Sequence, residues 1–206
     1  MTIELSSEQT VRSLGGTIPL VVKYSNVSRE PISFEEPAKT WEVHLLIGQP
    51  KETPEEVALG RIFYHKRGDL EYQTAEKAET ITLSPGAHYE FACDPGQRWP
   101  ELFVPGTNLL RIKDLTDADK PVFSNVVEVR VAYDKSTFLK LVEILKDEKA
   151  TVDSRQFAER WIKRLYPGFD LARGGAFEAR TWWTKHENDP QTTKQMEELN
   201  REPMAR

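Results

Sequence analysis

The chain has 206 residues, of which 38% are hydrophobic and 30% are charged. This balance is ordinary for a globular protein and too apolar for general disorder. Residues 1–133 contain 14 Lys and Arg against 20 Asp and Glu, and residues 134–206 contain 14 against 13. Neither part has the basic excess that neutralising a phosphate backbone requires, so we do not expect nucleic acid as a partner.

The cysteine content and the apolar runs limit the cellular setting. Cys93 is the single cysteine, which excludes an intrachain disulfide. The N-terminus lacks a basic segment followed by an apolar run, and no stretch approaches the roughly 18 apolar residues of a membrane span. The sequence therefore predicts a cytoplasmic protein without a membrane span, or a periplasmic or secreted one if a signal peptide was trimmed.

The first 133 residues alternate apolar and polar side chains with a period of two. Such alternation gives a strand one buried and one solvated face, which is typical of antiparallel sheets. Pro-Gly and Gly-Gly turns separate the strands, and no long helical pattern intervenes, so a β-sandwich is predicted. The alternating apolar sets are Leu20, Val22 and Tyr24; Trp41, Val43, Leu45 and Ile47; Tyr89, Phe91 and Cys93; and Val127, Val129, Val131 and Tyr133.

Residues 48–80 interrupt this regular pattern. Thr53 followed by Pro54, Glu55 and Glu56 is typical of a helix start, and Gly60 limits that helix to a short one. Residues 61–65 look extended again, and residues 66–69 read as a hairpin tip. We therefore interpret residues 48–80 as an excursion from the sandwich.

After residue 133 the apolar spacing changes to the helical period. Ser136 is a candidate N-cap for a helix with Phe138, Leu141, Val142 and Leu145 on one face. Asp153 and Gln156 resemble a capping box for a second helix, which carries Phe157, Trp161, Ile162 and Leu165. A third helix is predicted over 176–185, and Asp189-Pro190 is a possible start of a fourth. Residues 134–206 thus predict a small helical unit of three to four helices, packed partly on the sandwich.

Several short motifs resemble bacterial immunoglobulin-like domains, for example those of the intracellular proteinase-inhibitor type. They are the segment from Gly16 to Ser28 followed by Pro31-Ile32, then Leu83-Ser84-Pro85-Gly86, and Pro105-Gly106-Thr107. Asn26-Val27-Ser28 matches a glycosylation acceptor, but we interpret it as a turn closed by side-chain hydrogen bonds. The resemblance covers residues 10–133 and implies an immunoglobulin-like sandwich that binds another protein. No inhibitory or catalytic residue matches a family motif.

No residue pattern indicates catalysis, a metal or a cofactor. Cys93 shares a face with Tyr89 and Phe91, which predicts a buried and unreactive thiol. The four histidines are scattered singly, so a zinc site is not predicted. Asp114, Asp117 and Asp119 lie within six residues, but they lack the glycine and distal glutamate of a hand-type calcium loop. There is also no Gly-x-Ser-x-Gly elbow and no phosphate-binding loop.

Aromatic residues suggest two candidate contact patches. Seven of them crowd into residues 157–183, and the adjacent Trp182 and Trp183 diverge by about 100° around a helix. Either one of the two reaches a partner surface or both fill the junction between sheet and helices, and we favour the junction. Arg98 and Trp99, in a predicted loop, form the second patch.

The leading hypothesis is a non-enzymatic protein-binding module, with an inhibitor or immunity protein as one specific form. One alternative is a hydrolase of unrecognised type that uses Cys93 or His88. A second alternative is a structural component of a larger assembly.

Overall fold

A computed structural model describes residues 1–60, 78–117, 119–132 and 135–165, together with residues 181, 184–186, 189, 190, 193, 194 and 197. The described chain is predominantly β, with a few helices. The strands are β1 (Thr2–Ser6), β2 (Val11–Ser13), β3 (Leu20–Ser25), β4 (Ile32–Glu35), β5 (Val43–Gly48), β6 (Glu55–Ala58), β7 (Thr80–Leu83), β8 (His88–Cys93), β9 (Gly106–Asp114), β10 (Val122–Phe123) and β11 (Val127–Ala132). The helices are α1 (Pro95–Arg98), a 3₁₀ turn (Pro100–Leu102), α2 (Lys135–Lys146) and α3 (Val152–Leu165).

The strands form two larger sheets and a two-stranded ladder. The first sheet has the order β1-β3-β8, and the second has the order β2-β11-β9-β5-β6 with β10 also paired to β9. Strands β4 and β7 form the ladder. Every pairing between described strands is antiparallel except that of β2 with β11, which is parallel. The sequence-based prediction of mainly antiparallel sheets is confirmed.

Alternation of side chains builds one hydrophobic cluster from both sheets. Leu20, Val22 and Tyr24 of β3 are fully buried, as are Leu110 and Ile112 of β9. Residues between them on the same strands are more exposed, because successive side chains of a strand point to opposite faces. At roughly 25 cal/mol per Å² of apolar surface, this burial is the main favourable term in folding.

The predicted core position of Trp41 is wrong. Its side chain is 50% exposed, whereas Val43, Leu45 and Ile47 are buried as predicted. The cause is that β5 begins only at Val43, so the period of two does not extend back to residue 41.

The predicted helix start at residues 53–56 is also wrong. Residues 55–58 form strand β6 instead, paired antiparallel to β5 with Val57 opposite Leu45. The ladder with β5 supplies hydrogen bonds and side-chain partners that a single helical turn lacks, so pairing overrides the local helix signal. The excursion predicted for residues 48–80 therefore begins within the second sheet. Residues 61–77, with their predicted extended segment and hairpin tip, lie outside the described residues.

The first two predicted helices are present, with shifted starts. Helix α2 begins at Lys135, one residue before the predicted cap, and buries Phe138, Leu141 and Val142. Helix α3 begins at Val152 because Oγ1 of Thr151, rather than Asp153, accepts a hydrogen bond from the backbone N–H of Ser154 at 3.1 Å. Buried residues of both helices belong to the same hydrophobic cluster as the strands.

Little of the predicted third and fourth helices lies within the described residues. Residues 181, 184–186, 190, 193, 194 and 197 are helical. The N–H of Thr193 donates to the carbonyl of Asp189 at 3.0 Å, as expected near a helix start there. No helix in the described part of the chain has the length and apolar character needed to cross a membrane.

Candidate functional site

Cys93 and His88 lie on opposite faces of β8. Cys93 is 6% exposed and belongs to the hydrophobic cluster, whereas His88 is exposed and lies 3.9 Å from the carboxylate of Glu90. Burial, followed by the charge of Asp94, raises the pKa of the Cys93 thiol to about 12. A thiol of this kind is not a nucleophile at neutral pH, because the thiolate is the reactive form. The predicted buried thiol is confirmed, and the structure does not bring Cys93 and His88 together.

Arg98 and Trp99 lie at the end of a short helix rather than in a loop. Asp94 caps this helix: Oδ1 accepts hydrogen bonds from the backbone N–H groups of Gln97 at 3.1 Å and Ile18 at 2.7 Å. Trp99 is half-buried and packs against the hydrophobic cluster. Arg98 is half-buried too, and its Nε is buried without a hydrogen-bond partner. Burial lowers the pKa of Arg98, although the neighbouring charge of Glu101 opposes this change.

The 3₁₀ turn next to Arg98 is joined to helix α3 by a partly buried hydrogen bond. Oγ of Ser154 donates to Oε2 of Glu101 at 3.0 Å, and Ser154 is itself buried. Burial raises the pKa of Glu101, and the charge of Asp153 adds to this effect, while the bonds and the positive charge of Arg98 oppose it. The predicted Arg98–Trp99 patch is therefore half-buried beside a junction between the 3₁₀ turn and helix α3. Its role in partner binding stays a prediction.

The other predicted patch, Trp182 and Trp183, lies outside the described residues. Of the other aromatic residues in that segment, Phe157 and Trp161 are buried with their ring centroids 6.4 Å apart in an edge-to-face arrangement. These two serve the core, as a small helical unit requires.

The outer face of the second sheet carries a charged network that the sequence did not indicate. Lys113 and His44 are directly opposite one another on β9 and β5, and Glu56 extends from β6. Nζ of Lys113 donates to Oε1 of Glu56 at 3.1 Å, and Nδ1 of His44 lies 3.2 Å from Oε2. Hydrogen bonds from His44 and then from Lys113 lower the pKa of Glu56.

His44 links this network to Trp41. Nε2 of His44 lies 2.9 Å from the carbonyl oxygen of Trp41, so both ring nitrogens face acceptor atoms. Both hydrogen bonds form together only when the imidazole carries two protons, because a neutral ring has a single N–H. This arrangement joins the ring to the backbone of Trp41, whose side chain is half exposed.

A second exposed aromatic side chain lies on the same face. Phe123 of β10 is directly opposite Lys113 and is 40% exposed. The guanidinium carbon of Arg111 lies 4.5 Å from the centroid of the Phe123 ring, and its Nε donates to the carbonyl of Ser124 at 2.9 Å. This is a cation–π contact with the arginine held in place. We call the set formed by Trp41, His44, Glu56, Arg111, Lys113 and Phe123 the Trp41–Phe123 surface.

No single stretch of sequence reveals this surface. Its six residues come from four strands and the segment before β5, and β6 was predicted to be a helix. The available signal is the alternation of β9, where Arg111 and Lys113 occupy the positions between buried residues. That signal places both cations on the outer face but does not identify their neighbours.

Two of the three aspartates weighed as a calcium site, Asp114 and Asp117, have carboxylates that accept hydrogen bonds in turns. Oδ1 of Asp114 accepts hydrogen bonds from N–H and Oγ1 of Thr116, at 2.8 and 2.6 Å. Oδ1 of Asp117 accepts from the N–H of Asp119 at 3.2 Å. Within the described residues, no group of three or more His, Cys, Asp and Glu side chains is placed to hold a metal ion.

Comparisons with known proteins find only distant structural similarity. No family model and no curated protein matches the sequence. A β-glucosidase from Listeria innocua, solved with isofagomine, is 14% identical over 64% of this chain and 16% of its own, with a TM-score of 0.37. Spo0M, a sporulation control protein from Bacillus subtilis, is 8% identical over 71% of this chain and 54% of its own, with a TM-score of 0.38. The β-glucosidase EmGH1 from Erythrobacter marinus is 12% identical over 64% and 15%, with a TM-score of 0.33. The chain thus spans about a sixth of the length of the two β-glucosidases. The sequence identities and TM-scores of all three matches are too low to imply a shared activity.

Proposed function

We propose that the chain is an immunoglobulin-like β-sandwich with a helical C-terminal unit, and that it binds a protein partner through the Trp41–Phe123 surface. It acts without catalysis, in the cytoplasm, and an inhibitor or immunity protein is one specific form of such a module. The observation that carries the proposal is the stacking of Arg111 on the ring of Phe123, which is 40% exposed.

The strand order supports the immunoglobulin-like part of the proposal. In that fold the first, second and fifth strands share one sheet, and the third, sixth and seventh share the other. Here β1, β3 and β8 are neighbours in one sheet, while β5, β9 and β11 are neighbours in the other. β6 extends the second sheet beyond β5, in the position of an additional edge strand found in variable-type domains.

The residue types support a protein partner. Trp and Arg are enriched among the residues that contribute most to binding at protein interfaces, and aromatic residues are enriched generally. The surface has three basic side chains, His44, Arg111 and Lys113, against the single carboxylate of Glu56. A complementary partner therefore presents an apolar centre flanked by acidic residues.

The experiment is cross-linking in native lysate, followed by affinity measurement with the purified candidate partner. We expect Trp41→Ala and Phe123→Ala each to weaken binding by roughly tenfold or more, since central aromatic anchors are worth at least about 1–2 kcal/mol. Val152→Ala is the control, because Val152 is an exposed apolar residue, 70% accessible, that lies on α3 and not in the Trp41–Phe123 surface. Binding that survives both aromatic substitutions would refute the assignment of the surface.

The alternative functions correspond to other outcomes. Stable oligomers of this chain in light scattering, disrupted by Phe123→Ala, would favour a structural component of an assembly. Hydrolytic activity lost in Cys93→Ala would favour an enzyme, against the buried position of the thiol.

A further inference from the structure

The imidazole of His44 lies between two oxygen acceptors that come from different segments of the chain. Nδ1 is 3.2 Å from Oε2 of Glu56 on β6, and Nε2 is 2.9 Å from the backbone carbonyl oxygen of Trp41. The side chain of His44 is 24% exposed, so the ring is largely shielded from solvent. The ring thus connects β6 to the segment that precedes β5.

Two charged side chains face this imidazole among the described residues. They are Glu56 of β6 and Lys113 of β9, which is directly opposite His44. Nζ of Lys113 lies 3.1 Å from Oε1 of Glu56, so the two basic groups share one carboxylate. Glu42 before β5 and Arg111 on β9 are the next charged residues along these strands, and both are exposed. Of these residue types, only histidine ordinarily changes its charge between pH 5 and pH 8.

Loss of one proton from His44 breaks the contact with Trp41. A neutral imidazole has one N–H and one lone pair, so one of its two nitrogens then faces an oxygen acceptor without a proton between them. A hydrogen bond to a charged group is roughly twice as strong as one between neutral groups. The remaining N–H therefore stays on Glu56, and the carbonyl of Trp41 loses this donor.

We propose that protonation of His44 is a pH switch for the Trp41–Phe123 surface. The protonated ring holds the backbone of Trp41 and gives the surface three positive charges, from His44, Arg111 and Lys113. The neutral ring releases the carbonyl of Trp41 and leaves two. For the protein partner, whose existence rests on the proposed function, both changes act in the same direction. A partner with acidic residues binds more tightly at pH 5.5 than at pH 7.5.

The switch itself is tested without a partner, by amide NMR of the free protein from pH 5.5 to pH 8. The N–H of Glu42 belongs to the same peptide group as the carbonyl of Trp41, so its signal reports the bond to His44. We expect this signal to shift with pH in the wild type and to stay constant in His44→Gln. His88→Gln is the matched control, because His88 is an exposed histidine of the other large sheet, and it is expected to behave as the wild type.

A constant Glu42 signal in the wild type would overturn the switch, as would a pH-dependent shift that persists in His44→Gln. The wild-type titration needs no substitution, so it decides the question even if His44→Gln disturbs β5.

Regulation of binding is tested by the affinity for the purified partner at pH 5.5 and pH 7.5. We expect the wild type and His88→Gln to bind at least about fivefold more weakly at pH 7.5, the lower end of the usual coupling between two sites. His44→Gln is expected to bind equally at the two pH values. Equal affinities of the wild type would overturn the regulation. Absence of any partner at either pH would instead refute the proposed function, and the Glu42 signal would still decide whether His44 acts as a switch.

Discussion

The side-chain amide of Asn26 donates a hydrogen bond to the backbone carbonyl of Leu83 at 2.9 Å, across 57 residues of sequence. The same amide donates to the carbonyl of Glu30 at 2.8 Å, and its Oδ1 accepts from both N–H and Oγ of Ser28. Asn26 is buried, so the Asn-Val-Ser sequence is a structural turn with its amide nitrogen engaged rather than displayed. The bond joins the end of β3 to the end of β7.

Asn26→Ala is expected to lower the free energy of unfolding by about 2–3 kcal/mol, because it leaves two carbonyls and two donors without their partner. Urea unfolding followed by circular dichroism measures this change. Val27→Ala, in the same turn but exposed, is the control and is expected to change stability by less than about 0.5 kcal/mol. Equal effects of the two substitutions would contradict the role of the amide.

The thiol of Cys93 is expected to react slowly with a disulfide reagent in the folded protein and quickly in urea. Its raised pKa, about 12, leaves almost no thiolate at pH 8, and burial blocks access. The measurement is the rate of thiol labelling against urea concentration, which is expected to follow the unfolding curve. Rapid labelling without urea would show an accessible thiol and would support the hydrolase alternative.

Glu101 is expected to make the protein less stable as pH rises through its titration. Burial raises its pKa in the folded state above the ordinary value of 4.5, so the folded protein binds the proton more tightly than the unfolded chain. Between these two pKa values the unfolding free energy therefore falls with increasing pH. Glu101→Gln is expected to remove this slope while retaining an acceptor for Ser154, and thermal unfolding from pH 4 to pH 8 measures it. An unchanged slope in the variant would mean that other groups cause it.

Glu56 is expected to affect the pH dependence of stability in the opposite direction to Glu101, so that the protein becomes less stable as pH falls. Hydrogen bonds from His44 and Lys113 lower its pKa, so its stabilising contribution is present above its ordinary pKa and is lost as pH falls through the lowered one. Because the side chain of Glu56 is partly exposed, the contribution is expected to be below about 1 kcal/mol and to shrink in high salt. A double-mutant cycle with Glu56→Gln and Lys113→Met at two salt concentrations measures it. A coupling energy insensitive to salt would contradict the exposed geometry.

Much of the strand architecture could be predicted from local pattern, and the candidate surface could not. The alternation of Leu20, Val22 and Tyr24 specifies a strand with one buried face, because side-chain direction repeats every two residues whatever the neighbours are. The helical spacing of Phe138, Leu141 and Val142 specifies a helix face in the same way. Cys93 was placed in the core by the same alternation.

The features that the sequence did not predict depend on pairing between distant segments of the chain. Residues 53–56 have the local chemistry of a helix start, yet residues 55–58 pair with β5, because a ladder of long-range contacts outweighs the weak preference of one turn. The contact of Arg111 with Phe123 does not follow from local sequence either. The sequence by itself determined where apolar and polar side chains alternate, where turns lie and where apolar residues follow the helical spacing. These features depend on backbone geometry and on nearest neighbours. The tertiary structure alone decided which strands lie side by side, because register depends on the summed packing of segments up to 120 residues apart, as in the bond from Leu5 to Asn125.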